Sequence, residues 1–264
     1  MSESLVSRTN VTAIGVLARM GYAARGLVYL IVGMLAIMTA TGVGGETTNS
    51  KGAVRAIAEQ PFGQVLLLLL VVGLAGYVIW RSTQALLDTD DHGTSVHGLG
   101  VRVGLLISAA THTTLAIFAA KLAWFGSGGG GGQPTWLSSD AGLWLLAVIG
   151  VGMVGAGVAH MVKGWKVGYE KFMRLPSSQR FWMRPLCRFG LLARGAVLIL
   201  IGVILARSAV VARSSDVKGI ADALNTLRDG PFGAWLLGVA AAGLIAFGCY
   251  SLFEAIFRRI NNDE

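Results

Sequence analysis

Long apolar stretches alternate along the chain with short polar segments, and six of them are long enough to cross a bilayer. They run over residues of about 20–41, 63–86, 103–125, 141–162, 189–210 and 233–257. A bilayer core about 30 Å thick requires roughly 20 apolar residues per helix, because lipid offers no hydrogen-bond partner to an unpaired peptide group. The pattern therefore predicts an all-α polytopic membrane protein with six transmembrane helices.

Composition supports this prediction. Hydrophobic residues make up 54% of the 264 residues and charged residues 14%, whereas about a quarter of an ordinary soluble domain is charged. The 37 glycines fit membrane helices that pack through small residues. These values exclude an ordinary soluble globular protein.

The net charge of +8 is unevenly distributed around the predicted spans. With six spans, both termini and the second and fourth connections lie on one side, which carries thirteen Lys and Arg, whereas the other side carries seven. Because positive residues accumulate on the cytoplasmic side of bilayer helices, we expect both termini in the cytoplasm. The same charges predict contacts with anionic lipids at the cytoplasmic face and give no support to a nucleic-acid partner.

A pair of helices is repeated along the chain. The stretch ARMGYAARGLVYLIVG around Arg19 matches CRFGLLARGAVLILIG around Arg188 at a shift of 169 residues, which also aligns Arg25 with Arg194. A divergent middle copy aligns at a shift of 83 and carries Ser108 in place of Arg25. The repeats run over about 14–90, 98–175 and 183–257. Three parallel hairpins predict packing around a pseudo-three-fold axis along the membrane normal.

The Arg-x-Gly-x-x-x-Arg-Gly opening of the first helix, from Arg19-Met20-Gly21 to Arg25-Gly26, belongs to this triple arrangement of helix pairs. In both features the chain resembles the bacterial integral membrane family classed as domain of unknown function 1206. The resemblance covers residues from about 14 to 257 and implies a six-helix architecture in a bacterial inner membrane. The family carries no established activity, so the resemblance assigns no catalytic or binding residue.

Polar residues recur near the cytoplasmic ends of the helix pairs. Ionisable groups at this depth usually face a helix bundle or a wet cavity, so we expect a ring of hydrogen-bonded pairs. Two alternatives stay open: the arginines snorkel to the headgroups, or Arg25 and Arg194 line a site for an anion or a lipid headgroup. The expected pairs are Arg25 with Gln84, Ser108 with Lys163, and Arg194 with Glu254.

His112 lies near the predicted middle of the third span, in a stretch rich in hydroxyl residues. We expect it to be an interhelical hydrogen-bond donor with these hydroxyls as partners, and an intramembrane proton relay is the alternative. A haem requires a second axial histidine at similar depth, but His160 is offset by roughly 12 Å of helix rise. The sequence therefore predicts no cofactor.

Shorter segments have an amphipathic pattern. Trp165, Lys166, Tyr169 and Phe172 belong to a predicted interfacial helix whose aromatic residues enter the headgroups and whose cations bind anionic lipid. A docking surface for a cytoplasmic protein is the alternative. On the opposite side, apolar residues at helical spacing predict short surface helices around 53–57 and 220–227.

The sequence contains no catalytic triad, cysteine nucleophile, nucleotide fingerprint or paired intramembrane carboxylate, so an enzyme is not expected. Two classes of function remain. The first is a structural or accessory membrane protein that binds lipid or a protein partner, which includes a second copy of itself. The second is a small channel or carrier for ions or solutes along the repeat axis. The proline-free spans favour the first class, because alternating-access carriers usually have broken helices.

Overall fold

The structure, a computed structural model, describes residues 2–43, 49–126, 140–211 and 233–259. Six of its helices are long and apolar enough to cross a membrane, which confirms the predicted all-α, six-helix fold. A further short helix, α2, precedes the second of them. The helices are α1 (Ser2–Thr41), α2 (Ser50–Ala58), α3 (Gly63–Leu87), α4 (Val96–Phe125), α5 (Asp140–Trp165), α6 (Arg180–Val211) and α7 (Gly233–Phe257), with a 3-10 helix at Gly168–Phe172.

Helix α2 is the amphipathic helix predicted around 53–57. The side chain of Asn49 caps its first turn by accepting hydrogen bonds from the backbone N–H groups of Lys51 and Gly52. Ala53, Val54 and Ile57 are buried in the cluster that α1, α3, α4 and α7 form, so α2 packs into the end of the bundle. The corresponding prediction for 220–227 lies outside the described residues.

The six long helices pack in the order α4, α3, α1, α7, α6, α5. In this order the first helix of each repeat packs against the second helix of the preceding repeat: α1 on α7, α4 on α3, and α6 on α5. In the first and third repeats the two helices of one pair also pack together, as α1 on α3 and α6 on α7. The two helices of the middle repeat, α4 and α5, are not packed against each other in this way, and the pseudo-three-fold axis stays a prediction.

Glycines set the close approach of these helices. A Cβ added to Gly202 on α6 would lie 2.5 Å from the carbonyl oxygen of Gly150 on α5, and one added to Gly33 on α1 would lie 2.7 Å from Ile245 on α7. Backbones this close leave no room for a side chain. Contacts between neighbouring repeats therefore depend on the small residues that the sequence places there.

Candidate functional site

Arg25 is buried where α1 meets α7 and α3, near the end of the bundle at which α3, α5 and α7 finish, here called the basic end. Its Nη2 lies 2.5 Å from Glu254 Oε2, its Nε donates to Ser251 Oγ at 3.1 Å, and its Nη1 donates to Tyr77 Oη at 2.6 Å. Only 5% of Arg25 is exposed. The guanidinium therefore points into the bundle and does not snorkel to the headgroups.

Glu254 and Asp90 connect this arginine, through Arg258, to the connection between α3 and α4. Arg258 donates to Glu254 Oε1 at 3.1 Å and to Asp90 Oδ2 at 2.7 Å, and Gln84 donates to the same Asp90 oxygen at 2.6 Å. Glu254 and Arg258 are almost completely buried. These two carboxylates hold α1, α7 and the α3–α4 connection together.

The predicted pairing within each repeat is wrong. Glu254 pairs with Arg25 and not with Arg194, because α1 packs against the second helix of the preceding repeat in the cyclic order. Gln84 accepts a hydrogen bond from Arg81 at 3.1 Å and does not pair with Arg25. The pair of Ser108 with Lys163 is also absent from the described residues, since α4 and α5 are not packed together.

Arg194 has a different environment from Arg25, its repeat equivalent. Its guanidinium carbon lies 4.4 Å from the ring centres of both Tyr29 and Phe247. Its Nε is buried without a hydrogen-bond partner, and within the described ranges the side chain forms no ion pair. A cavity of about 20 Å³ extends from Arg194 to Ser50 at the start of α2, which is space for one or two water molecules.

Lys163 near the basic end also has no carboxylate in direct contact, and neither does Arg81, which donates to Tyr77 and Gln84. The Nζ of Lys163 lies 5.6 Å from the ring centre of Tyr250, and Glu254 attracts it only from a longer distance. Tyr250 is 2% exposed and lies one helical turn before Glu254, with which it interacts. Arg81, Lys163 and Arg194 thus leave an excess of positive charge that the two carboxylates described near them do not balance.

The first arginine of the repeated motif has a separate, structural role. Arg19 donates to the carbonyl oxygens of Ala255 and Ile256, both at 2.7 Å, at the end of α7. Its equivalent Arg102 donates to the oxygens of Ala85 and Leu86 at the end of α3. Cations at these positions donate hydrogen bonds to the last carbonyl oxygens of a helix and interact favourably with the negative end of its dipole. Each arginine therefore fixes its own repeat to the preceding one.

His112 has a structural partner that accounts for its position. Its Nδ1 lies 2.7 Å from the carbonyl oxygen of Ser108, one turn earlier on α4, and its ring centre lies 4.5 Å from that of Tyr77. This bond lies within α4, so the expected interhelical bond is wrong for the described contacts; the nearest hydroxyl, Thr111 Oγ1 at 3.4 Å, belongs to the same helix. His112 therefore lies beside the Tyr77 that accepts from Arg25, and its role as a relay stays a prediction.

The predicted interfacial helix is interrupted, and one of its residues is buried. Helix α5 ends at Trp165, Val167 adopts the left-handed conformation at φ 54°, and a 3-10 helix follows. This turn directs Tyr169 into a core cluster with Met183 and Cys187, where its hydroxyl donates to the oxygen of Arg184 at 3.0 Å. Burial raises the pKa of Tyr169 above its ordinary value.

The other three residues of that predicted helix occupy different surroundings. Trp165 and Lys166 are exposed at the end of α5, and their interfacial position stays a prediction. Phe172 is partly buried, with its ring centre 5.1 Å from the guanidinium carbon of Arg258. The backbone N–H of Arg174 donates to the oxygen of Phe257, and that of Arg259 donates to the oxygen of Phe172. The segment around Phe172 therefore covers the basic end.

Several residues of the site were not identified from the sequence. Polar side chains spaced three or four residues apart share one face of a helix, and this signal was available in two places. Tyr77 and Arg81 precede Gln84 on α3, and Ser251 and Arg258 flank Glu254 on α7 and just beyond it. Asp90 carried no such signal, because it lies in a connection.

Together these side chains form a group that we call the basic cluster. It contains five cations and two carboxylates, which leaves an excess of three positive charges among the described residues. None of the seven is freely exposed to solvent. The members are Arg25, Arg81, Lys163, Arg194, Arg258, Asp90 and Glu254.

Comparison with known proteins agrees with the three predicted repeats. The family described as Domain of Unknown Function (DUF1206) matches the chain at residues 20–88, 103–167 and 189–258. The chain is 34% identical over 253 residues to an uncharacterized protein, YxxB, of Bacillus subtilis (strain 168). The matched region covers 92% of this chain and 90% of the relative. No solved structure matches the chain.

Proposed function

We propose that this chain, which belongs to the DUF1206 family, is a non-enzymatic accessory membrane protein that binds an anionic lipid headgroup in its basic cluster. Because positive residues predominate at the basic end, that end faces the cytoplasm of a bacterial inner membrane and both termini lie there. The observation that carries the proposal is Arg194, a guanidinium inside the bundle without a described carboxylate.

Uncompensated charge inside a membrane protein is energetically unfavourable, and such groups usually pair or mark a binding site. Arg25 and Arg258 share Glu254 and Asp90, so their charges are largely balanced. Arg194 and Lys163 have only aromatic rings in direct contact. A phosphate would supply the missing negative charge and accept charge-assisted hydrogen bonds from a guanidinium or an ammonium group.

The bilayer itself is the nearest source of phosphate at this depth. Anionic phospholipids concentrate positive segments at the cytoplasmic leaflet, and the basic end lies at the headgroup level in the proposed orientation. A lipid headgroup therefore enters at the basic end, and its phosphate extends inward to Arg194, whose cavity reaches Ser50 of α2. No nucleic acid and no cofactor enter this proposal.

The test compares lipid retained by the purified protein. The chain is extracted from an Escherichia coli membrane, washed in mild detergent, and its bound phospholipid is counted per protein by mass spectrometry. We expect retained phosphatidylglycerol and cardiolipin in the wild type and at least a tenfold loss in Arg194→Gln/Lys163→Gln. Arg184→Gln is the matched control, since it removes a charge whose side chain is 47% exposed. Equal retention in the double variant and the control would contradict the proposal.

A channel or carrier for small ions along the repeat axis is the second candidate. The cavity between Arg194 and Ser50 favours an anion over a cation, because Arg194 is the one charged residue in its lining among the described residues. Its volume of about 20 Å³ is too small for a continuous path through the described bundle. Chloride or phosphate flux in proteoliposomes, abolished by Arg194→Gln, would favour this candidate over the accessory role.

A further inference from the structure

The contact that is missing between α4 and α5 has clear counterparts in the other two repeats. In the first repeat a Cβ on Gly21 would lie 2.5 Å from the backbone of Tyr77, and in the third a Cβ on Gly190 would lie 2.5 Å from the backbone of Phe247. All four residues are buried. Glycine at this position of the first helix therefore permits close packing within a repeat.

The middle repeat retains the glycines of this contact without making it. Gly104 is the equivalent of Gly21, and Gly152 and Gly155 are the equivalents of Gly73 and Gly76 on α3. An added Cβ would meet no atom within 4 Å at Gly104, Gly152 or Gly155, and all three are exposed. Two glycine-bearing faces thus border a gap, here called the lateral opening, between α4 and α5.

Polar side chains near the lateral opening lie at the same depth in the bundle as the basic cluster. Ser108 and His112 lie on α4, and the ring of His112 contacts Tyr77 of the Arg25 network. Lys163 lies on α5, with its Nζ 5.6 Å from the ring centre of the buried Tyr250. Arg194 lies on α6, the helix against which α5 packs.

We propose that the lateral opening admits one anionic phospholipid from the surrounding leaflet. Its phosphate pairs with Lys163 and Arg194, and its acyl chains lie along the faces of Gly104, Gly152 and Gly155. Charge complementarity selects this occupant, because Arg81, Lys163 and Arg194 have no carboxylate in direct contact within the described residues. The inference rests on the proposed function and adds the route by which the lipid arrives.

Filling the opening tests the route. Gly104→Leu/Gly152→Leu introduces two side chains where no atom lies within 4 Å, so we expect the fold to be retained. Retained phosphatidylglycerol and cardiolipin should fall at least tenfold, while the thermal midpoint stays within the error of the wild type. Gly238→Leu on α7 is the matched control, because its nearest neighbour is a methyl carbon 4.0 Å away and it lies outside the opening.

The outcomes separate the two proposals. Lipid loss in Arg194→Gln/Lys163→Gln but not in Gly104→Leu/Gly152→Leu overturns the lateral route and leaves the lipid site intact. Lipid retention in both variants overturns both proposals. If light scattering shows that the wild type in nanodiscs is a dimer and the leucine variant a monomer, a second copy occupies the opening and the lipid route is wrong.

Discussion

Replacement of Glu254 by glutamine is the sharpest perturbation of the basic cluster. The carboxylate is 1% exposed and contacts two guanidiniums, those of Arg25 and Arg258. Glutamine preserves the shape of the side chain but removes the negative charge. Both arginines then stay buried with Asp90 as the only remaining acid of the cluster.

The expected loss of stability is large. Opposite unit charges about 4 Å apart attract by about 4 kcal/mol at an effective dielectric constant of about 20. Removal of one member of a buried pair lowers stability by about 3–5 kcal/mol, because the other charge is left unpaired. Since Glu254 serves two guanidiniums, we expect Glu254→Gln to lower the free energy of unfolding by about 5 kcal/mol.

The assay is unfolding in mixed detergent micelles, followed by tryptophan fluorescence. Glu170→Gln is the control, because its partner Arg184 is 47% exposed on the side chain and exposed pairs contribute at most about 1 kcal/mol. Arg25→Gln/Glu254→Gln completes a double-mutant cycle and should recover part of the loss. A loss in Glu254→Gln no greater than that in Glu170→Gln would refute this account of the cluster.

Three further measurements test other parts of the structure. Gly21→Leu places a side chain against the backbone of Tyr77 and should lower stability by more than about 3 kcal/mol, measured in the same titration, whereas Gly104→Leu should change it by less than about 0.5 kcal/mol. Tyr169→Ala should lower stability by about 3–5 kcal/mol because its ring is buried, whereas Trp165→Ala should have little effect. Equal losses would instead support the predicted interfacial helix that contains both residues. Backbone N–H groups of the α3–α4 connection donate to Asp88 and lower its pKa, so its stabilisation is complete above the unfolded pKa and disappears as the pH falls through the folded value. Asp88→Asn should remove this part of the acid dependence of the thermal midpoint.

The six helices and the three repeats could be predicted because the bilayer imposes a length and a polarity on each span. The depth of the polar positions could also be predicted, since Arg25, Gln84 and Glu254 share one end of the bundle. The hydrogen-bond and ion-pair partners of these residues could not be predicted. A repeat indicates which positions are equivalent, but not whether a helix packs against its own repeat or against the preceding one.

Tyr169 illustrates a different limit of sequence patterns. Trp165, Tyr169 and Phe172 are spaced as on one face of a helix, but Val167 adopts a left-handed conformation that interrupts it. Such a conformation is uncommon for a β-branched residue, so local propensity gave no sign of the turn. Burial of Tyr169 beside Met183 and Cys187 is a tertiary contact that overrides the pattern.

The three equivalent positions on the second helices explain why charge accumulates on one side of the bundle. Glu254 neutralises Arg25 across the boundary between the third and first repeats. At the boundary between the second and third repeats, the equivalent residues are Lys163 and Arg194, which carry the same charge. A bundle selected for stability alone would have an acid or a neutral residue at one of these positions, because neither cation has a carboxylate in direct contact among the described residues and such a charge is unfavourable inside a bundle. A bound phosphate removes this disadvantage, so this departure from the repeat is the position at which we expect a ligand.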